Sequence, residues 1–295
     1  MLSHQLFSKK PVHSNQTHSI NGELYTLLSR IGHGSYGSVW KSVTPKGKYY
    51  AVKVFEFNHA QNPLASDDRL SSFKTEVKMG KKLHDETEHV VTMCGYEYSP
   101  RYGVGFIAME LGSESLVDRV RNLHQTHSKS PMFDYYDYIS LRDQQNIWCQ
   151  LVNIILALHQ YGVIHRDLKP ANLLFFGPTL KVIDFGMAQD EFVGFSPHQR
   201  IGGTRPYSAP ECFTGQALIT PKADVWSVGA ILYYLTYGKA PVFESPRPPF
   251  GVLPTRSRHI QEILEHCLRP VASRRPDHQS LAQHPFTRPF KRYLK

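Results

Sequence analysis

The residues best equipped for chemistry lie in His165-Arg-Asp-Leu-Lys-Pro-Ala-Asn172, directly after an apolar stretch and Tyr161-Gly-Val-Ile164. Asp167, Lys169 and Asn172 supply a carboxylate, an ammonium and an amide oxygen. Phosphoryl transfer needs these three, as acceptor for the proton of the attacking hydroxyl, counter-charge for the moving phosphate and oxygen ligand for a metal. Further on, Lys181-Val-Ile-Asp-Phe-Gly186 is a short apolar strand that delivers Asp184 into a glycine turn. Mg²⁺ prefers oxygen donors and keeps waters and phosphate oxygens, so Asp184 and Asn172 suffice as the expected protein ligands. A lone Asp-Phe-Gly would mean little. Its weight comes from following the first motif in this order.

Upstream, Ile31-Gly-His-Gly-Ser-Tyr-Gly-Ser-Val39 places Gly32, Gly34 and Gly37 in a G-x-G-x-x-G pattern. A dinucleotide site would continue into a helix, whereas here a second strand follows. That context favours a clamp over the phosphates of a mononucleotide such as ATP. Val39 and Ala51 are placed to cover a purine, and Lys53 to hold the α- and β-phosphates once a helix carboxylate fixes it. Glu76, in Lys-Thr-Glu-Val, is the candidate partner; read alone it would be an exposed Glu on an amphipathic helix. The backbone from Glu110 to Gly112 is expected to bond the adenine. Met109 lines the back of that pocket and also serves as core.

These residues need rigid elements to hold them. Tyr25 to Gly32, Ser38 to Lys41 and Lys48 to Phe55 read as strands, Arg69 to Leu83 as a helix, and His89 to Tyr98 and Val104 to Leu111 as further strands. Beyond Gly112 the pattern turns helical, with apolar helices at Gln144 to His159 and Ala223 to Tyr237. His124 to Tyr138 reads as a loop between helices, and the proline-rich Pro241 to Pro254 as an extended connection. The expected fold is α+β: a small antiparallel β lobe with one helix (about residues 23–111) and a larger, mainly α-helical lobe (about 112–290), with ATP between them. Residues 1–22 are expected to form a flexible head and 291–295 a tail.

The bulk composition limits the remaining classes. Lys and Arg number 34 against 25 Asp and Glu, a formal charge of +9, but they are scattered and form no basic run of five or more. A solvated basic surface is the reading, without a specific nucleic-acid partner. The four cysteines form no C-x-x-C pair, so neither a disulfide framework nor a thiolate zinc site is indicated. No apolar run has the length of a signal-peptide core or membrane span. A soluble protein of cytoplasm or nucleus is expected.

Taken together, these motifs are similar to those of the eukaryotic protein-kinase superfamily over about Tyr25 to Phe290. Lys169 two residues after Asp167, with Gly203-Thr204-x-x-Tyr207, resembles the serine/threonine branch. The resemblance implies a bilobal kinase, ATP and Mg²⁺ as cofactors, and protein substrates. It also implies that Gly202 to Glu211 receives the substrate peptide, that Thr204 bonds Asp167 and Lys169, that Glu211 pairs with Arg275, and that Asp224 braces the catalytic loop. Asp224-Val-Trp-Ser-Val-Gly-Ala-Ile-Leu-Tyr-Tyr-Leu-Thr-Tyr-Gly-Lys-Ala-Pro241 is similar to the dual-specificity monopolar-spindle kinases of the spindle checkpoint. Arg166 departs from their vertebrate members, which carry serine there.

An arginine beside the catalytic Asp can order the activation segment by binding a phosphate, for which Ser196 in Ser196-Pro197 is the candidate. Gly80 stands where kinases place a bulky apolar residue against Phe185, so a packing gap and an easily displaced helix are expected. The rival from another class is a pseudokinase scaffold binding nucleotide or partners. Against it, Lys53, Glu76, Asp167, Lys169, Asn172 and Asp184 are all present.

Overall fold

The computed structural model describes residues 12–34, 37–57, 63–129, 136–192, 201–215, 217–241 and 245–288. The fold is α+β, in two units: Met1–Lys81 with Thr92–Leu111, and Lys82–Val91 with Gly112–Lys295. Residues 82–91 join the second unit because Val91 N–H donates to the Val182 carbonyl and Val182 N–H to that of His89.

The first unit holds β1 (Thr17–Ile20), β2 (Glu23–Gly34), β3 (Gly37–Val43), β4 (Tyr49–Glu56), α1 (Pro63–Lys82, to Lys81), β5 (Met93–Ser99) and β6 (Val104–Met109). They form one antiparallel sheet, β1-β2-β3-β4-β6-β5. The sheet thus begins inside the segment expected to be a flexible head. Asn21 (φ 50°) and Gly22 (φ 80°) make a two-residue hairpin turn that pairs Ile20 with Glu23. Both central residues of such a turn need positive φ, and Asn-Gly supplies it.

Strand periodicity divides β4 between two faces. Val52 and Val54 join Ile20, Tyr25, Leu27, Trp40, Phe106 and Ala108 in one apolar cluster. Lys53 and Phe55 point the other way, where Phe55 meets Phe73 of α1 edge-on at 5.3 Å. Glu76 lies one turn beyond Phe73 and shares its helix face. Register and helical period together therefore bring Lys53 and Glu76 to one place.

The space beside Gly80 is filled, contrary to the expected gap. A Cβ at Gly80 would lie 2.9 Å from Met93 Sδ and 3.0 Å from its Cε. Met93 is the unbranched, adaptable side chain suited to filling such a niche. Among the described residues, α1 is therefore packed at this point, and a leucine there would have to displace the thioether.

The second unit contains β7 (Glu114–Ser115), α2 (Leu116–His127), α3 (Leu141–Gln160), β8 (Val163–Ile164), β9 (Leu173–Phe176), β10 (Thr179–Val182), β11 (Gln189–Asp190), α4 (Lys222–Tyr237), α5 (Arg258–Cys267) and α6 (His278–Gln283). Ser140 caps α3, its hydroxyl accepting from Asp143 N–H at 3.2 Å. In α4 almost every residue is buried, and Gly238 (φ 68°) closes the helix by donating to the Tyr234 carbonyl. The expected loop from His124 begins later, because α2 continues to His127; His124 stacks on Tyr138 with centroids 3.8 Å apart. Residues 245–254 carry no helix or strand.

Candidate active site

In the first unit Lys53 Nζ donates to Glu76 Oε2 at 2.7 Å, and both side chains are buried. The strand fixes the lysine stem and the helix fixes the carboxylate, so the ammonium has a defined seat. Val39 is the cross-strand neighbour of Lys53, and Ala51 that of the buried Met109. Ile31 is half exposed. Glu110 is tied to Thr92, donating its N–H to the Thr92 carbonyl and accepting Thr92 N–H on Oε1 at 2.7 Å. Gly34 and Gly37 face each other at the β2-β3 hairpin. Gly37 also has a structural reason: a Cβ there would sit 2.0 Å from the Val54 carbonyl oxygen. In the second unit Gly112 packs against Leu174.

The loop that carries Asp167 is built on Asp224 at the start of α4. Its buried carboxylate accepts from the N–H groups of His165 and Arg166, both at 2.9 Å. These bonds hold Arg166 at φ 69°, a left-handed conformation that costs a non-glycine residue about 1–2 kcal/mol. From there the chain presents Asp167. Its Oδ1 accepts from Thr204 Oγ1 at 2.7 Å, and its Oδ2 from Lys169 Nζ at 2.9 Å. Asn172 Nδ2 donates to the carbonyl and Oδ2 of Asp167, at 3.0 and 3.1 Å.

This use of the Asn172 amide nitrogen leaves its oxygen as the group available to a metal. Ile183 N–H donates to the Asn172 carbonyl at 2.9 Å, which brings Asp184 beside it. Asp184 is itself left-handed, at φ 65°. Phe185 is buried edge-on against His165, whose Nε2 lies 3.3 Å from the Ile183 carbonyl. One amide oxygen and one carboxylate form a hard-donor pair that fits Mg²⁺.

The segment after residue 200 is pinned to this loop. Thr204 Oγ1 accepts from Lys169 Nζ at 2.7 Å, Thr204 N–H donates to Ser208 Oγ, and Ser208 Oγ donates to the Arg166 carbonyl. A Cβ at Gly203 (φ 139°) would fall 2.2 Å from Ser208 Oγ, so only glycine fits. Glu211 and Arg275 meet in a bidentate pair at 2.6 and 2.8 Å. Arg166 Nη1 donates to Gln189 Oε1 at 3.2 Å. Ser196, the expected phosphosite, lies outside the described residues.

Two contributors escaped sequence reasoning. Ser208 had no distinguishing signal in the chain. His159 stood in an apolar helix as an ordinary polar residue, yet its Nε2 lies 3.2 Å from Asp224 Oδ2 and its Nδ1 3.0 Å from His278 Nδ1. Burial alone would raise the Asp224 carboxyl, but the bond and charge of His159 hold it below the usual range. Its stabilising contribution is therefore present above the ordinary carboxylate range and lost as pH falls through the lowered value.

Burial, and then the neighbouring His159, push His278 below its ordinary value of 6.5; Asp277 and Glu191 oppose this, and Lys222 adds to it. The unfolded chain then binds the proton first, so stability declines as pH falls below 6.5 towards the lowered value. Partly buried His18 and His284, lowered by burial in the same direction, add to the same slope. We expect thermal midpoints to fall on acidification through this window, and His278→Gln to flatten the decline; an unchanged slope would remove His278 from the account.

Comparison with known proteins adds to this geometry. The family described as protein kinase domain matches residues 25–287. The chain is 27% identical over 274 residues to the mouse dual specificity protein kinase TTK, covering 87% of this chain and 30% of that protein. The zebrafish Ttk is 29% identical over 238 residues, covering 77% and 22%. The mouse proto-oncogene serine/threonine-protein kinase mos is 31% identical over 279 residues, covering 88% and 79%. The chain thus spans less than a third of the two TTK relatives and about four fifths of mos.

Proposed function

Since the chain belongs to the protein-kinase family, we propose that it transfers the γ-phosphate of ATP, with Mg²⁺, to serine and threonine of protein substrates. The observation that carries this reading is the network around Asp167. Thr204 and Lys169 hold its carboxylate in one orientation, so an acceptor hydroxyl can pass its proton to an oxygen already fixed in place. Lys169 brings positive charge to the same point. Asn172 and Asp184 would hold Mg²⁺, which when bound neutralises phosphate charge. Lys53, seated by Glu76, is assigned to the α- and β-phosphates. The purine is assigned to Val39, Ala51 and Met109, with the backbone from Glu110 to Gly112, and the phosphates to the turn of Gly32, Gly34 and Gly37.

The relatives named dual specificity kinases extend the proposal to tyrosine, and the likeness of Asp224 to Pro241 to the monopolar-spindle kinases extends it to cell-cycle control. Control by a phosphate near Arg166 belongs to the same proposal, as does residence in cytoplasm or nucleus. The scaffold reading is disfavoured by the complete set of phosphoryl-transfer groups. The test is phosphoamino-acid analysis of mixed peptides labelled from γ-labelled ATP. Label on serine and threonine is the expected result, label on tyrosine as well marks dual specificity, and label on tyrosine alone would overturn the assignment.

A further inference from the structure

The substrate segment carries a cation that none of these roles uses. Arg205 follows Thr204, the hydrogen-bond partner of Asp167, and precedes Pro206. Its backbone is fixed on both sides. Thr204 is tied to Asp167, Lys169 and Ser208, and the N–H groups of Tyr207 and Ser208 both donate to the Thr204 carbonyl, at 2.8 and 3.0 Å. The side chain is held as well, with its guanidinium carbon 4.4 Å from the centre of the Phe213 ring. Stacking on a ring leaves guanidinium charge and N–H donors available at the edge, and Arg205 is exposed.

The nearby carboxylates are already matched. Glu211 is engaged by both terminal nitrogens of Arg275, and Asp167 by Lys169 and Thr204. Among the described residues no carboxylate pairs with Arg205. An arginine held by a ring in surface surroundings, without its own counter-ion, is prepared for an anion from outside.

Resting on the kinase reading, the geometry points to Arg205 as a specificity-determining residue that selects an anionic side chain, carboxylate or phosphate, within two residues of the acceptor hydroxyl. A peptide strand advances about 3.3 Å per residue, so its side chains nearest the acceptor are those that meet the residue beside Thr204. The planar guanidinium suits the two oxygens of a carboxylate or phosphate. Neutral peptides lack this contact, and lysine at the same place meets repulsion.

The test uses the full chain and one serine peptide in versions carrying Glu, Gln, Lys or phosphoserine at each position within two residues of the acceptor. We expect kcat/KM for the best Glu version to exceed its Gln counterpart about two- to fivefold, as ion pairs at exposed sites do. The ratio should fall towards one in Arg205→Ala, persist in part in Arg205→Lys, and invert in favour of the Lys peptide in Arg205→Glu. Raising ionic strength should lower it. A phosphoserine version exceeding Glu assigns the subsite to substrates already phosphorylated; the reverse assigns it to acidic sequences.

Fluorescence anisotropy of the same peptides reads the preference without turnover. A chain that transfers nothing yet binds the Glu peptide through Arg205 would contradict the kinase reading alone. Equal Glu and Gln ratios in both assays, or ratios that Arg205→Glu leaves unmoved, would overturn the role of Arg205 alone.

Discussion

Replacing Asp167 by asparagine should lower phosphate transfer by about 10²- to 10⁴-fold, the range assigned to a positioned general base. The substitution keeps the shape of the side chain, so the loss would be chemical. An asparagine offers one oxygen, and an amide nitrogen in the place of Oδ2 would face two donors, Lys169 Nζ and Asn172 Nδ2. Turned the other way, the amide can donate to the Thr204 hydroxyl, which also accepts. In either orientation the carboxylate that takes the proton is gone, and an amide oxygen is a poor proton acceptor. The bonds that fix the loop backbone come from Asp224 and are untouched. The check is steady-state transfer to a serine peptide beside a thermal melt of both proteins. Near-normal turnover in a well-folded variant would remove Asp167 from the chemistry.

The second large effect concerns stability. Arg275 has each of its five N–H groups aimed at an acceptor. Nη1 meets Glu211 Oε1 and the Lys222 carbonyl, Nη2 meets Glu211 Oε2 and the Pro270 carbonyl, and Nε meets the Arg269 carbonyl. Its side chain has 0% exposure and that of Glu211 10%, so neither group can turn to water. Truncation to alanine would leave a buried carboxylate and three carbonyls without their donor. Breaking such a pair from one side costs about 3–5 kcal/mol, against about 5–15 kcal/mol that holds a whole domain. We expect Arg275→Ala to lower the thermal midpoint by about 10 °C. Arg275→Lys should recover only part, since a single ammonium cannot replace the planar fork. A melt of Arg275→Ala within about 2 °C of wild type would show that the pair contributes little net stability.

The activation segment joins these two predictions. Glu211 ends the stretch that starts at Gly202, where Gly202 N–H donates to the Cys212 carbonyl. Loss of Arg275 would therefore loosen the segment that positions Thr204 against Asp167, and turnover should fall with stability in that variant.

Much of this was legible in the chain because its residues carry obligations that a sequence displays. Lys53 on a strand and Glu76 on a helix can be read from period two and period three to four, and the loop around Asp167 from residue types in fixed order. The hairpin at Asn21-Gly22 was not read from the sequence, where the polar stretch before it reads as a loose head; Ile20, buried in the sheet core, belongs to the fold.

What could not be read depends on contacts far apart in sequence. Nothing in Gly80 announces that Met93 fills its niche, since the two are brought together only by the path of α1 and β5. The same holds for His159, which becomes a partner of Asp224 only when α3 packs on α4. Arg205 is the reverse case: its place beside Thr204 is visible in the chain, but its seat on Phe213 and the prior engagement of Glu211 are not.

On the proposed reading the chain is an active enzyme and not a nucleotide-binding scaffold. The direct measurement is transfer of label from γ-labelled ATP to a serine or threonine peptide, with and without Mg²⁺, alongside nucleotide binding by the same preparation. We expect Mg²⁺-dependent label on the peptide that disappears in Asp167→Asn. Saturable ATP binding with no label on any peptide, at any Mg²⁺ concentration, would contradict it.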